Sequence, residues 1–290
     1  MFFGSIPALV TPFAAGRVDE AAFRVLIEWQ IDQGSSGLVA CGTTGEAATL
    51  SDAEHRRLIE MAVETARGRV PVIAGCGSND TAHAIELTRS AAAAGADAAL
   101  HVPPYYNRPN QDGMVAHIAA VADLDIPIIL YNVPSRTITE FSVETVARLA
   151  RLPNIVGIKD ATGDLARVTA QRLACGGQFC QLSGNDDLAL GFNAMGGVGC
   201  ISVTANVAPR LCADFQAAMR EGRWDEALTL QDRLYPLHAA MFADASPGPA
   251  KYALSKVRPG FPTGLRLPMT APSEAAKAAV DAALTHAGLA

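Results

Sequence analysis

The chain has 290 residues, half of them hydrophobic, which is enough for one large core or two small ones. A net charge of −6 without a Lys/Arg cluster argues against nucleic acid as a partner, and anionic substrates would need specific local cations. No apolar run reaches membrane-spanning length, and MFFGSIPALVTPF lacks the basic region of a secretory signal, so the expectation is a cytoplasmic protein.

Ser5–Phe13 is an apolar strand candidate, followed by a helix whose Phe23, Leu26, Ile27 and Ile31 share one face and which stops before Gly34. Gly37–Gly42 is a second strand. Thr43–Leu50 is a loop leading to Ser51, which with Glu54 three residues on forms the capping-box signature of a helix ended by Gly68. Strand and helix then alternate: Val70–Gly77 and Thr81–Ala94, Ala98–Pro103 and Asp112–Ala122, Pro127–Val133 and Ser142–Arg151, Ile155–Asp160 and Leu165–Ala174. Phe179–Gly184 and Gly199–Thr204 are the last strands, with a short helical segment near Asp187–Met195 between them and a helix over Pro209–Arg220 after them. Eight such units, starting roughly 20 to 33 residues apart, predict a parallel sheet closed into a (β/α)8 TIM barrel over residues 1–222. A doubly wound open sheet is the competitor, but no glycine fingerprint follows the first strand. Residues 223–290 carry the helical patterns Trp224–Leu237, Pro249–Lys256 and Glu274–Leu284, a helical subdomain appended to the barrel.

The residue that gives this scaffold a chemical meaning is Lys159. It ends the β-branched run Ile155–Ile158, where a parallel strand covered on both faces leaves the core. Lysine is rarely buried without a reason. Lys159 either reaches solvent or pairs with Asp160, or it is an amine desolvated at the carboxyl end of a barrel strand so that it can attack a ketone. A free lysine is almost wholly protonated at neutral pH, and about 4 kcal/mol of differential destabilisation of the ammonium makes the neutral amine available.

Active sites of such barrels lie at the carboxyl ends of the strands. There the sequence offers Gly42-Thr43-Thr44-Gly45-Glu46, Tyr105-Tyr106, Tyr131 and Arg136, Ser183-Gly184-Asn185, and Ile201-Ser202. An imine-forming amine needs a proton donor for the departing hydroxyl, and Tyr131 on the neighbouring strand is the nearest plausible one. Threonines in a glycine-flanked turn can hold a carboxylate, and Arg136 offers a forked donor to a second. Each has a structural alternative: Tyr131 as core, the glycine-flanked threonines as a plain turn, Tyr105 and Tyr106 as interface packing, Arg136 as a surface ion pair. The six cysteines (Cys41, Cys76, Cys175, Cys180, Cys200, Cys212) form no C-x-x-C pair and read as reduced thiols, and the six scattered histidines predict no metal site.

GTTGEAATL, PVIAGCGSN, PPYYNRP, LYNVPSRT, GIKDATG, LSGND, ISVTANV and LRLPMT, in this order, closely resemble the dihydrodipicolinate synthase family. That family belongs to the pyruvate-dependent class I aldolase superfamily that includes N-acetylneuraminate lyase. The resemblance implies a lyase that condenses pyruvate with L-aspartate 4-semialdehyde in lysine and diaminopimelate synthesis, without a metal or organic cofactor. It also implies Lys159 as Schiff-base former, Tyr131 as general acid/base, Thr44 with Thr43 at the pyruvate carboxylate, and Thr43 as proton relay to a Tyr106 from the adjacent subunit. Arg136 would hold the semialdehyde carboxylate, with Gly184 and Ile201 contributing carbonyls nearby. A homo-oligomer follows, a dimer at least and a dimer of dimers (tetramer) by expectation. Members inhibited by lysine keep a polar set at the dimer interface; this chain keeps Asn79, Tyr105 and His55, but has Ala47 for a serine, Asp52 for a histidine and His83 for a glutamate. Weak or absent lysine feedback is therefore expected. The rival readings are a lyase of the same mechanism acting on a sugar acid, a non-catalytic pyruvate-binding regulatory barrel, and a pyridoxal-phosphate barrel, for which no phosphate-cradling glycine cluster follows the last two strands.

Overall fold

The computed structural model describes residues 2–289; the ends of the two predicted segments, Met1 and Ala290, lie outside them. The strands are β1 (Gly4–Pro7), β2 (Phe13–Ala14), β3 (Arg17–Val18), β4 (Leu38–Ala40), β5 (Val72–Gly75), β6 (Ala98–His101), β7 (Ile128–Asn132), β8 (Ile155–Asp160), β9 (Cys180–Ser183) and β10 (Gly199–Ser202). Eight of them form one parallel sheet in the order β1-β10-β9-β8-β7-β6-β5-β4. The sheet closes on itself where Ala8 bridges Val39 and the Leu9 N–H donates to the Val39 carbonyl at 2.9 Å. This is the expected (β/α)8 barrel.

Apart from Ile155–Asp160, which matches β8, the predicted strands overrun the observed ones, because the buried apolar runs continue past the last ladder bond: Ala8, Leu9 and Val10 are as buried as β1 itself. The strands β2 and β3 form a small antiparallel hairpin that the sequence pattern did not announce, since each contributes only two residues.

The helices are α1 (Glu20–Asp32), α2 (Asp52–Ala66), α3 (Thr81–Ala93), α4 (Gln111–Ala122), α5 (Pro134–Thr137), α6 (Val143–Leu149), α7 (Ala166–Cys175), α8 (Ala189–Ala194), α9 (Pro209–Arg220), α10 (Trp224–Ala240), α11 (Gly248–Val257) and α12 (Glu274–Ala287). Their starts are written in the sequence. Asp19, Asp80, Asn110, Ser142 and Ser273 cap with side-chain oxygens that accept from N–H groups of the first turn. Ser51 and Glu54 make the full reciprocal capping box. The end of α2 differs slightly from expectation: Arg67, not Gly68, is the first left-handed residue after the helix.

Period two divides each barrel strand between two cores. Ile129, Tyr131, Leu182 and Ile201 fill the barrel interior, whereas Ile128, Leu130 and Ile158 pack outward against the helices. The C-terminal helices share the larger outer core, with Leu234, Leu237, Leu254 and Val280 joining Phe23 and Ile27. Among the described residues no helix is long and apolar enough to cross a membrane.

His55, His101, His117 and His238 are buried, and burial is the main cause that holds each below the ordinary histidine range; His101, which also faces His117, lies near 3. Each of these groups binds its proton more readily unfolded than folded, so its stabilisation is present above pH ~6.5 and fades as pH falls. Glu54, held near 2 by Arg266, adds its own loss only below the ordinary carboxylate range. Urea unfolding should therefore lose about 1.4 kcal/mol per pH unit from His101 alone below pH ~6.5, before carboxylates titrate. Stability that stays constant from pH 7 to 4.5 contradicts this.

Candidate active site

Strand β8 delivers Lys159 into the barrel. Gly157, two residues earlier on the same face, allows this close approach: a Cβ there would lie 2.4 Å from the Cys180 carbonyl oxygen on β9. Lys159 is paired in register with Tyr131 on β7, and Asn132 with Asp160 one step on. The Lys159 Nζ lies 4.1 Å from the centroid of the Tyr131 ring, and the lysine is only 6% exposed.

Lys159 therefore neither reaches open solvent nor pairs with Asp160. The Asp160 side chain leaves the opposite face of β8, where its carboxylate accepts from Arg167 Nε at 3.1 Å, Gln171 Nε2 at 3.1 Å and Thr162 Oγ1 at 2.6 Å. Behind Tyr131, Asn132 exchanges two hydrogen bonds with the Phe141 backbone, each 2.9 Å. Among the described residues no carboxylate lies within 4.0 Å of the Lys159 amine.

A cavity of about 470 Å3 opens above this pair. Thr43, Tyr105, Tyr131, Arg136 and Lys159 all line it. Arg136 sits in α5 at the mouth, exposed, with no carboxylate within 4.0 Å among the described residues, so it is not part of a surface ion pair. Gly184 is beside the lysine: a Cβ there would lie 3.1 Å from Lys159 Cε and 2.7 Å from Ala161 Cβ. Ile201 lies in the barrel interior with Tyr131. Thr44 is buried within the turn that presents Thr43. That turn is bracketed by two left-handed non-glycine residues, Cys41 (φ 56) and Glu46 (φ 56), a conformation that tertiary structure must enforce.

Thr44, Gly184 and Ile201 lie behind the cavity wall rather than lining it, and Tyr106 is turned away altogether: it is 89% exposed, on a loop where it too has a left-handed backbone (φ 69). Five of the six positions compared with lysine-inhibited relatives line the same cavity: Ala47, Asp52, His55, His83 and Tyr105. Asp52 Oδ1 and His83 Nε2 are 3.1 Å apart, and His55 Nε2 lies 2.7 Å from the Gly75 carbonyl oxygen. Asn79 accepts through its carbonyl from Asn107 Nδ2 at 2.8 Å.

Sequence reasoning does not single out Ser246, Pro247, Asp186 or Lys251, nor the role of Glu46. Ser246 and Pro247 line the cavity from the segment before α11. Asp186, buried after β9, accepts from Ser202 Oγ and from the Val203 and Thr204 N–H groups, fixing the end of β10. Glu46, visible in GTTGE, is buried in an ion pair with Lys251. No local pattern identifies Lys251, whose partner is 205 residues away.

The Dihydrodipicolinate synthetase family profile matches residues 1–287. The chain belongs to that family. It is 65% identical to the 4-hydroxy-tetrahydrodipicolinate synthase of Rhizorhabdus wittichii and 61% identical to that of Zymomonas mobilis, with both partners covered over their full length. It is also similar to the solved chloride-inhibited dihydrodipicolinate synthase from Acinetobacter baumannii complexed with pyruvate. There the identity is 44%, the TM-score 0.96 and the coverage complete on both sides.

Proposed function

We propose that this chain is a 4-hydroxy-tetrahydrodipicolinate synthase, condensing pyruvate with L-aspartate 4-semialdehyde through a Schiff base on Lys159. The observation that carries the reading is the buried, counter-ion-free amine of Lys159 against the Tyr131 ring. Relatives of that name at 61 to 65% identity, and a pyruvate complex of a 44% identical relative, support it.

In this mechanism the Lys159 amine attacks the keto carbon of pyruvate, and Tyr131 protonates the departing hydroxyl as water leaves. The iminium formed with Lys159 then acts as electron sink when a proton is lost from the methyl group, so no metal or organic cofactor takes part. The resulting enamine carbon bonds to the aldehyde carbon of the semialdehyde. The substrate's own amine then displaces Lys159, closing the ring and freeing the enzyme. Thr43 and Thr44 hold the pyruvate carboxylate, Arg136 holds that of the semialdehyde, and the Gly184 and Ile201 carbonyls flank the site. Thr43 also relays protons from Tyr131 to Tyr106 of the partner subunit, which makes a dimer the functional minimum and a dimer of dimers the assembly. The barrel of residues 1–222 carries this chemistry in the cytoplasm, and residues 223–290 support it.

Arg136 at the mouth, within YNVPSRT, favours a small carboxylated aldehyde over a sugar acid. Purified enzyme should turn over aspartate semialdehyde about a hundredfold or more faster than N-acetylneuraminate or a 2-keto-3-deoxy sugar acid. Tyr131→Phe should lower kcat by about a hundred- to ten-thousandfold. A preference for the sugar acid, or full activity of the phenylalanine variant, overturns the assignment.

Lysine feedback is weak in this reading. His83 replaces the glutamate that would face the inhibitor's ammonium, and the nearby Asp52 carboxylate is already engaged by His83. A lost charge-assisted bond of ~1.5–3 kcal/mol corresponds to roughly ten- to a hundredfold in affinity. A lysine titration should give inhibition only above the millimolar range; half-inhibition well below it contradicts the prediction.

A further inference from the structure

The turn that carries Thr43 and Thr44 is anchored from behind by charges that the reaction itself does not use. Lys251, on α11, is fully buried. Its ammonium donates to Glu46 Oε1 at 2.5 Å and to the Gly264 carbonyl at 2.7 Å, and lies 4.5 Å from the centroid of the Phe13 ring. The second oxygen of Glu46 accepts from the Arg266 backbone N–H at 3.2 Å. Glu46 in turn closes the turn: its N–H donates to the Thr43 carbonyl at 3.1 Å, while Thr11 Oγ1 donates to the Gly45 carbonyl at 2.7 Å. The Arg266 guanidinium continues the anchor, donating to the Thr49 and Gly16 carbonyls and to Glu54.

A buried ion pair adds little stability over well-packed apolar side chains of the same size, because both charges must be desolvated. Its geometric demand is strict, since each charge must keep all its partners. Glu46 meets that demand with a left-handed backbone, at the residue that ends the threonine turn.

We infer that the buried Glu46–Lys251 pair is a positioning device that sets the Thr43–Thr44 turn for the keto-acid carboxylate, so that the C-terminal helices act on the first substrate. Neither residue touches the reacting atoms in this account; both act through the turn. The inference rests on the proposed function, in which that turn receives pyruvate.

The test is the double variant Glu46→Gln/Lys251→Met, which removes both charges and leaves neither buried alone, beside the conservative Glu46→Asp, which keeps the charge and shortens its reach. Steady-state kinetics are read with each substrate varied. The pyruvate KM should rise tenfold or more in both variants while the semialdehyde KM stays within about twofold, in protein whose unfolding transition remains cooperative. A wild-type pyruvate KM in the folded double variant overturns the inference and gives the pair a stability role only. If the double variant does not fold, Glu46→Asp decides in the same way: a raised pyruvate KM supports the inference and an unchanged one overturns it. Wild-type enzyme that fails to saturate with pyruvate overturns the underlying functional reading instead, so the two failures are distinguishable.

Discussion

The structure depends on the register between β7 and β8. Tyr131 opposite Lys159, and Asn132 opposite Asp160, put one residue of each strand into the barrel and the next one out. A one-residue slip of β8 would exchange the amine for the carboxylate. Outside the barrel, Asp160 is held by Arg167, Gln171 and Thr162, while Asn132 is fastened to Phe141. Arg167 joins the two by donating to the Phe141 carbonyl at 2.8 Å. Adjacent residues with opposite charges are thus kept on opposite sides of a sheet, and the lysine is left without the partner that sequence proximity suggests.

Burial without a counter-ion is unfavourable for an ammonium, and it is what a nucleophilic amine requires. The rest of the site is arranged around that condition. The Tyr131 ring covers the amine, Gly184 makes room for its side chain, and Thr43 and Arg136 supply polar groups at the cavity wall, with no carboxylate among the described residues within 4.0 Å of the amine. Wall and anchor come partly from the C-terminal segment, through Ser246, Pro247 and Lys251, so the barrel and its extension meet at the chemistry as well as in the shared core.

The sequence disclosed what repeats or is local. The range Ile155–Asp160 coincides with β8 and Pro209–Arg220 with α9, and the Ser51–Glu54 box has its full reciprocal bonds. These features rest on periodicity and capping, which operate within a few residues. Period two within β8 also contains the reason why Lys159 and Asp160 cannot pair, although the sequence reading left that pairing open. The hairpin of Phe13–Ala14 with Arg17–Val18 was too short to leave a pattern. The pairs Glu46–Lys251 and Asp186–Ser202 join residues far apart in the chain, and only the assembled barrel shows that their charges and hydroxyls meet. Tyr106 is conspicuous in PPYYNRP, but nothing inside one chain gives its exposed ring a partner.

The central claim is that the amine at position 159 bonds covalently to a keto acid. Borohydride reduction of the enzyme in the presence of pyruvate, followed by proteolysis and peptide mass spectrometry, tests it directly. The account predicts one reduced pyruvate per chain, on the peptide that contains Lys159, with loss of activity in proportion to labelling. An unmodified Lys159 peptide in enzyme that still turns over pyruvate, or a label on another lysine, contradicts it.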